Sequence, residues 1–159
     1  MIRPFLAALS IVAGGFVAIM VAESEVPSEP DPQLTPGEVV SSDRDIACAW
    51  GRSPRLYDTD KAAYIALERA VFAAYGLAYN RRGECEFDHL VPRCIGGADT
   101  ARNLWPQHCD RWSPGHLHCL AGPAADKDVD EIRICRAVCR DGTMSIADGQ
   151  RFFTEGKWR

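Results

Sequence analysis

The sequence lacks the patterns that most directly assign a function. It has no Cys-x-x-Cys pair, which disfavours a structural zinc site, and it has no internal repeat. No helix-turn-helix or zinc-finger pattern is present, so little sequence-specific recognition is expected. An excess of one charge is also missing from the main part of the chain. Residues 46–159 carry 16 Lys and Arg against 15 Asp and Glu, which neither demands nor excludes a polyanionic substrate.

Acidic residues are concentrated in one short segment. Residues 23–45 contain seven acidic side chains and four prolines, against a single arginine. A stretch with so few apolar side chains cannot offset the entropy lost when its backbone is ordered. The composition predicts a disordered, extended linker over residues 23–45, followed by one globular domain over residues 46–159.

The N-terminal part of the chain is apolar. Residues 5–22 form a run of 18 residues, which is long for the core of a signal peptide and barely enough to span a bilayer. Residues 1–22 are therefore predicted to be a signal peptide or an N-terminal membrane anchor. Either one predicts export to the periplasm or the extracellular space, with residues 5–22 as a membrane tether if they are not cleaved. No cysteine follows the run, so a lipoprotein anchor is not indicated.

Seven cysteines lie in the predicted globular domain. Export and cysteine density together favour disulfides, and the odd number leaves at least one free thiol. Cys48 and Cys139 stand near the two ends of the domain, so a bridge between them would close a loop of about 90 residues and stabilise by roughly 4–5 kcal/mol. The predicted pairs are Cys48–Cys139, Cys109–Cys119 and Cys85–Cys94, with Cys135 left free.

Caps and breakers give a coarse map of the domain. The predicted elements are a helix capped by Asp58 or Thr59 and stopped at Gly76, a strand over residues 85–91, a helix over residues 124–140, and a short helix capped by Ser145. Pro92 limits the strand because it forces the preceding residue out of helical geometry. Gly96-Gly97 then allows a tight reversal of the chain.

The residues suited to chemistry lie around this strand and reversal. His89 is a candidate general base, since an imidazole with a pKa near ~6.5 is largely neutral at pH 7 and accepts a proton from water. Asp88 offers a hard oxygen ligand for a divalent cation. Asn103 follows His89 by 14 residues and is predicted to tie the two arms of the hairpin together. A flat strand would point Asp88 and His89 to opposite faces, so a shared site requires a bent strand end. Glu86 is either solvated or a supporting carboxylate.

Residues 46–159 resemble the exported bacterial HNH endonuclease-like proteins. The hairpins of that family read Asp-His-Leu-Val-Pro, Gly-Gly and Asn-Leu-Trp-Pro-Gln, as residues 88–92, 96–97 and 103–107 do here. The similarity extends to Cys48, Tyr75-Gly76, Lys127-Asp128 and Val138-Cys139. It implies an α+β fold in which a small ββα-metal hairpin–helix core is flanked by further helices and stabilised by disulfides. It also implies cleavage of nucleic acid, foremost DNA, with Mg²⁺ or else Mn²⁺. No organic cofactor is expected, and the protein is expected to be a monomer.

The sequence departs from this family at the third metal ligand. Relatives of this type can carry a histidine just before the Lys-Asp pair, where this chain has Ala125. A Cys109–Cys119 bridge would fold the preceding insert into a small loop and could bring His116 or His118 to the metal. Asp128 is the other candidate, and the sequence leaves the choice among the three open.

Four arginines flank the hairpin and are candidate phosphate contacts: Arg81, Arg82, Arg93 and Arg102. The leading hypothesis is a metal-dependent endonuclease of low sequence specificity acting outside the cytoplasm. The first alternative is a catalytically inactive HNH scaffold that serves as a binding module in the cell envelope, which Ala125 favours. The second is a structural envelope protein tethered by residues 5–22, which leaves the Asp88-His89 pair without a role.

Overall fold

The computed structural model describes residues 24–115 and 118–158. Over these ranges the chain is an α+β protein, as predicted, with five α-helices and two separate two-stranded sheets. The helices are α1 (Arg44–Gly51), α2 (Leu56–Thr59), α3 (Lys61–Ala74), α4 (Pro123–Cys135) and α5 (Ile146–Thr154). The strands are β1 (Cys85–His89), β2 (Leu104–His108), β3 (Arg111–Trp112) and β4 (Cys119–Ala121). Three short helical turns occupy Tyr79–Glu84, Arg93–Ile95 and Arg136–Arg140.

The predicted signal peptide or membrane anchor at residues 1–22 lies outside the described residues. Among the helices that are described, none has the length and apolar character needed to cross a bilayer.

Strands β1 and β2 form an antiparallel hairpin, with Cys85 opposite His108 at one end and His89 opposite Leu104 at the other. β1 ends two residues earlier than predicted, although the Leu90 amide still donates to the Asn103 carbonyl at 2.7 Å. The predicted reversal is present at Gly96, whose φ is +89°. Gly97 is required for a different reason, because a Cβ there would lie 1.7 Å from the Val91 carbonyl oxygen.

Two helix boundaries differ from the predictions. The cap of α3 is Asp60 rather than Asp58 or Thr59, and its carboxylate accepts from the Ala63 amide at 2.9 Å. The two expected caps lie instead in the separate turn α2. The helix predicted over residues 124–140 is α4 followed by a π-helical turn over Arg136–Arg140. The stop at Gly76 and the Ser145 cap of α5 are confirmed.

The main apolar core lies between the hairpin, α4 and α5. Its fully buried members include Leu90, Val91, Ile95, Trp105, Ile134, Val138 and Phe153. A second cluster of Phe72, Leu77 and Cys85 joins α3 to the beginning of β1. The hairpin is thus fixed at both ends, which gives the last residues of β1 a rigid support.

Two of the three predicted disulfides are confirmed, Cys48–Cys139 and Cys109–Cys119. The third prediction is wrong, because Cys94 pairs with Cys135 and leaves Cys85 free. β1 carries Cys85 to the end of the hairpin that is remote from the turn holding Cys94, whereas the last turn of α4 brings Cys135 within a Cα–Cα distance of 5.8 Å of Cys94. Burial raises the pKa of the Cys85 thiol to about 12.

The acidic segment differs from the predicted disordered linker. Residues 24–43 contain almost no regular structure, yet they lie against the domain, and Thr35 is fully buried. The Gly37 amide donates to the Arg102 carbonyl at 2.9 Å, and the His108 amide donates to the Pro27 carbonyl at 3.0 Å. Backbone hydrogen bonds to the hairpin and its connection, together with the packing of Val26 and Val39 against the core, therefore stabilise a segment with few apolar side chains of its own.

Candidate active site

His89, the last residue of β1, forms a hydrogen-bonded pair with Asp99. The His89 Nε2 lies 2.7 Å from Asp99 Oδ1, and both side chains are mostly buried. Burial alone would raise the pKa of Asp99, but the hydrogen bond to His89 and the charge of Arg93 outweigh it and lower that pKa. An ionised Asp99 accepts a hydrogen bond from Nε2–H, and this tautomer leaves Nδ1 as the basic nitrogen of the imidazole.

Arg93 completes this side of the site. Its Nε lies 3.0 Å from Asp99 Oδ1, and its guanidinium donates to the carbonyl oxygens of Ser53 and Pro54. The guanidinium also lies over the Trp50 ring, 4.7 Å from the centroid. Arg93 was predicted to contact phosphate, but only 9% of it is exposed. The environment fits a residue that holds Asp99 in place.

Asp88 faces away from His89 and contacts a buried lysine. The Lys127 Nζ donates to Asp88 Oδ2 at 2.7 Å, to the His89 carbonyl at 2.5 Å, and to Glu131 one turn further along α4. Burial alone would lower the pKa of Lys127, but the two carboxylates outweigh it and raise that pKa. Lys127 is therefore a fully buried ammonium that joins α4 to the end of β1.

Carboxylates outnumber cations on the Asp88 side. Burial and the charges of Asp88 and Asp128 raise the pKa of Glu86 to about 7. Burial and the charge of Asp88 also raise the pKa of Asp128 and of Glu131. If all four carboxyl groups were ionised, this part of the site would carry more negative charge than Lys127 balances, and this is one reason why these pKa values are raised.

A cavity of about 550 Å³ brings the two sides together. Successive side chains of a strand alternate between its two faces, yet Asp88 and His89, the last two residues of β1, both line this cavity. The other acidic residues on its wall are Asp58, Glu86, Asp99, Asp128 and Glu131. Tyr57 and Tyr64 line it from the side of α2 and α3, with their rings in edge-to-face contact.

Asn103 joins the end of β1 to the connection between the two strands. It is fully buried, and its Oδ1 accepts from the Val91 amide at 2.9 Å. Its Nδ2 donates to the Val91 carbonyl at 3.0 Å and to the Ala98 carbonyl at 3.1 Å. These three bonds fix the connection that carries Asp99 back to His89.

Of the three candidates for the third metal ligand, the structure describes His118 and Asp128. His116 lies outside the described residues. His118 is exposed, with its backbone amide bonded to Ser113, and its charge lowers the pKa of Asp128 in opposition to burial. Asp128 lines the cavity beside Asp88.

The side chains of the cavity offer oxygen donors for a divalent cation. Carboxylates are the hard oxygen ligands that Mg²⁺ prefers. Among the side chains that are described, however, no three of His, Cys, Asp or Glu converge as a metal ligand set. Asp88 and Glu131 each bond to the Lys127 ammonium instead. The donor chemistry suits a metal, but this arrangement does not fit a resident ion.

The other three candidate phosphate contacts, Arg81, Arg82 and Arg102, lie around the hairpin and differ in how much of each side chain is exposed. Arg81 is held by Glu84 and by the Ser24 carbonyl, which leaves 22% of its side chain exposed. Arg82 and Arg102 have 60% and 65% of their side chains exposed. These two arginines are the members of the set that are open to a ligand.

Comparison with known proteins gives no relative of this chain. No family model matches it, no curated protein matches it, and no solved structure matches it. The likeness to HNH endonucleases rests on the motif residues alone.

Sequence reasoning missed three residues of this site. Asp99 carries a usable signal, since it comes two residues after the Gly96-Gly97 reversal and so returns toward His89. Lys127 and Glu131 are spaced four residues apart, which places them on one face of a helix. That spacing is common on solvated helices, so it does not by itself identify a buried ion pair.

Proposed function

We propose that the protein hydrolyses phosphodiester bonds of nucleic acid, foremost DNA, with little sequence specificity. The observation that carries this proposal is the His89–Asp99 hydrogen bond of 2.7 Å at the wall of a cavity large enough for a substrate group. A histidine whose other nitrogen is held by an ionised carboxylate is a general base with a fixed tautomer.

The chemistry assigned to these residues is proton transfer from water. His89 Nδ1 takes the proton as the water oxygen bonds to phosphorus and the ester oxygen departs. Asp99 stabilises the imidazolium that results, and this proton then leaves with the departing oxygen. Arg93 holds Asp99, and Asn103 holds the connection between Asp99 and His89.

A divalent cation remains part of the proposal for an electrostatic reason. Four acidic groups on one side of the cavity, Glu86, Asp88, Asp128 and Glu131, share the single Lys127 ammonium, so this side repels an approaching phosphodiester unless positive charge is added. Mg²⁺ is the first expectation and Mn²⁺ the second. When bound, such an ion would supply this charge.

The proposed compartment is outside the cytoplasm. Three disulfides indicate an oxidising environment, in agreement with the predicted export segment. The exposed Arg82 and Arg102 would contact phosphates of a bound strand without reading its sequence.

The direct test is nicking of supercoiled plasmid by the oxidised full chain in Mg²⁺, in Mn²⁺ and in EDTA, beside the His89→Ala variant. Nicking by the wild type, together with its loss in the variant, is the expected result. A wild type that nicks nothing under any of these conditions overturns the hydrolase proposal.

The second candidate is the binding module, and the Asp88–Lys127 pair is the observation that favours it, because it engages the predicted metal ligand. This hypothesis expects fluorescent oligonucleotides to be bound with a measurable anisotropy change and to remain intact in Mg²⁺. Cleavage of the same oligonucleotides rules it out.

A further inference from the structure

The Lys127 ammonium lies among three oxygen atoms from two different elements. Asp88 and the His89 carbonyl come from the end of β1, and Glu131 comes from the next turn of α4. Lys127 is 0% exposed, so its charge has no contact with solvent. A buried ammonium is stable only where such oxygen atoms replace its hydration shell.

These three oxygens are also the kind of donors that bind a hard metal ion. Two are carboxylates and one is a peptide carbonyl, which is the ligand set that Mg²⁺, Mn²⁺ and Ca²⁺ share. Asp88 is, moreover, the residue that the HNH resemblance assigns to the metal. A divalent cation bound to Asp88 would lie a few ångströms from the ammonium, where like charges repel strongly in a partly buried place.

We propose that Lys127 is the resident cation of this site, and that a divalent cation binds Asp88 only by displacing the Lys127 ammonium. The disagreement between the expected metal ligand set and the observed donors then has a physical cause. The proposal concerns cation binding and does not rest on cleavage, so it stands or falls separately from the proposed function.

The test is calorimetric titration of Mn²⁺ into the oxidised full chain and three variants. Lys127→Met keeps the length of the side chain and removes its charge, which frees Asp88 and Glu131. It is expected to bind Mn²⁺ at least ~10-fold more tightly than the wild type, equal to about 1.4 kcal/mol. Adding Asp88→Asn to Lys127→Met should abolish this gain.

Lys157→Met is the matched control. Lys157 also pairs with a carboxylate, Asp130 at 3.1 Å, but 56% of its side chain is exposed. The control therefore removes the same charge from a carboxylate that Arg133 still holds at 2.9 Å, and it should bind Mn²⁺ as the wild type does. Equal affinities in wild type and Lys127→Met overturn the proposal, as does an equal gain in Lys157→Met.

A further measurement decides the case if Lys127→Met does not fold, which circular dichroism and the loss of its disulfides would show. In the presence of Lys127, Asp88→Asn alone should change Mn²⁺ affinity by less than ~3-fold. The small effect is expected because displacing a buried, fully bonded ammonium is costly, so that Asp88 of the wild type holds almost no metal. A larger loss of affinity means that Asp88 binds the metal readily while Lys127 is present, so that Lys127 is not the resident cation, and it overturns the proposal.

Discussion

The two faces of strand β1 carry opposite electrostatic balances. On the His89 face, Asp99 is flanked by the imidazole and by the Arg93 guanidinium, and its pKa is lowered. On the Asp88 face, the single ammonium of Lys127 stands among Glu86, Asp88, Asp128 and Glu131, and several of their pKa values are raised.

This difference shows how one strand can serve two purposes. The His89 face has its charges paired before any ligand arrives, so the histidine is held in one tautomer and one direction. The Asp88 face has an excess of negative charge, which a proton or a cation would relieve. One face is organised for proton transfer, and the other is organised to receive positive charge.

The strongest test of this comparison is the removal of the imidazole. His89→Ala should lower cleavage by about 10²- to 10⁴-fold, since loss of a general base has this effect, while the fold is retained. Plasmid nicking under single-turnover conditions measures the change. The matched control is His108→Ala, because His108 forms a similar pair with Asp110 at 2.8 Å on the exposed end of β2. Wild-type activity in His89→Ala removes the His89 face from the mechanism.

The second test removes the disulfide beside the cavity. The Cys94–Cys135 bridge joins the turn after β1 to the end of α4, and both cysteines line the cavity. Replacing both with Ser should lower the free energy of unfolding by about 4 kcal/mol on the chain-entropy argument. The same change at Cys109 and Cys119, which lie only 10 residues apart, should cost about 3 kcal/mol. Guanidinium titration measures both losses. A larger loss for Cys109–Cys119 than for Cys94–Cys135 would contradict the prediction that the longer loop contributes more stability.

The third test concerns Asp99. Asp99→Asn keeps the shape of the side chain but no longer fixes the tautomer of His89, so cleavage should fall by about 10²-fold, or about 2.7 kcal/mol. Asp110→Asn, at the exposed His108 pair, should leave cleavage unchanged. Retained activity in Asp99→Asn would show that the balance on the His89 face has no part in catalysis.

The smallest expected effect is on the Asp88 face. The pKa of Glu86 is about 7 in the folded protein against an ordinary value of 4.5, so the folded state holds a proton that the unfolded chain releases. Its contribution to stability is present below pH 4.5 and is lost as pH rises through about 7.

Glu86→Gln removes this loss. It should raise the free energy of unfolding at pH 8 by about 1 kcal/mol, after allowance for the partial exposure of Glu86, and the midpoint by about 2–4 °C. No gain is expected at pH 4. Glu84→Gln serves as the control, since the hydrogen bond from Arg81 lowers the pKa of that exposed carboxyl. Equal gains at both pH values would show that the effect is not electrostatic.

Local patterns in the sequence predicted the features that depend on local chemistry. The Gly96 reversal, the Ser145 cap and the Asn103 ties follow from backbone preferences and side-chain hydrogen bonding at those positions. The pairing of Cys94 with Cys135 could not be predicted in the same way, because it depends on how α4 lies across the hairpin. The Lys127 contacts were missed for the same reason, since burial of a lysine is set by tertiary packing.

The ordered position of residues 24–43 has a consequence for the solubility of the domain. A two-stranded sheet has two open edges, and unpaired backbone groups at an edge pair readily with another chain. The Pro27 carbonyl accepts from the His108 amide, and the Thr35 hydroxyl donates to the Leu104 carbonyl at 3.3 Å. Both contacts fall on β2, at its two ends. The acidic segment therefore shields the hairpin from edge-to-edge association. A protein that begins at residue 46 should self-associate more readily than one that retains residues 24–45.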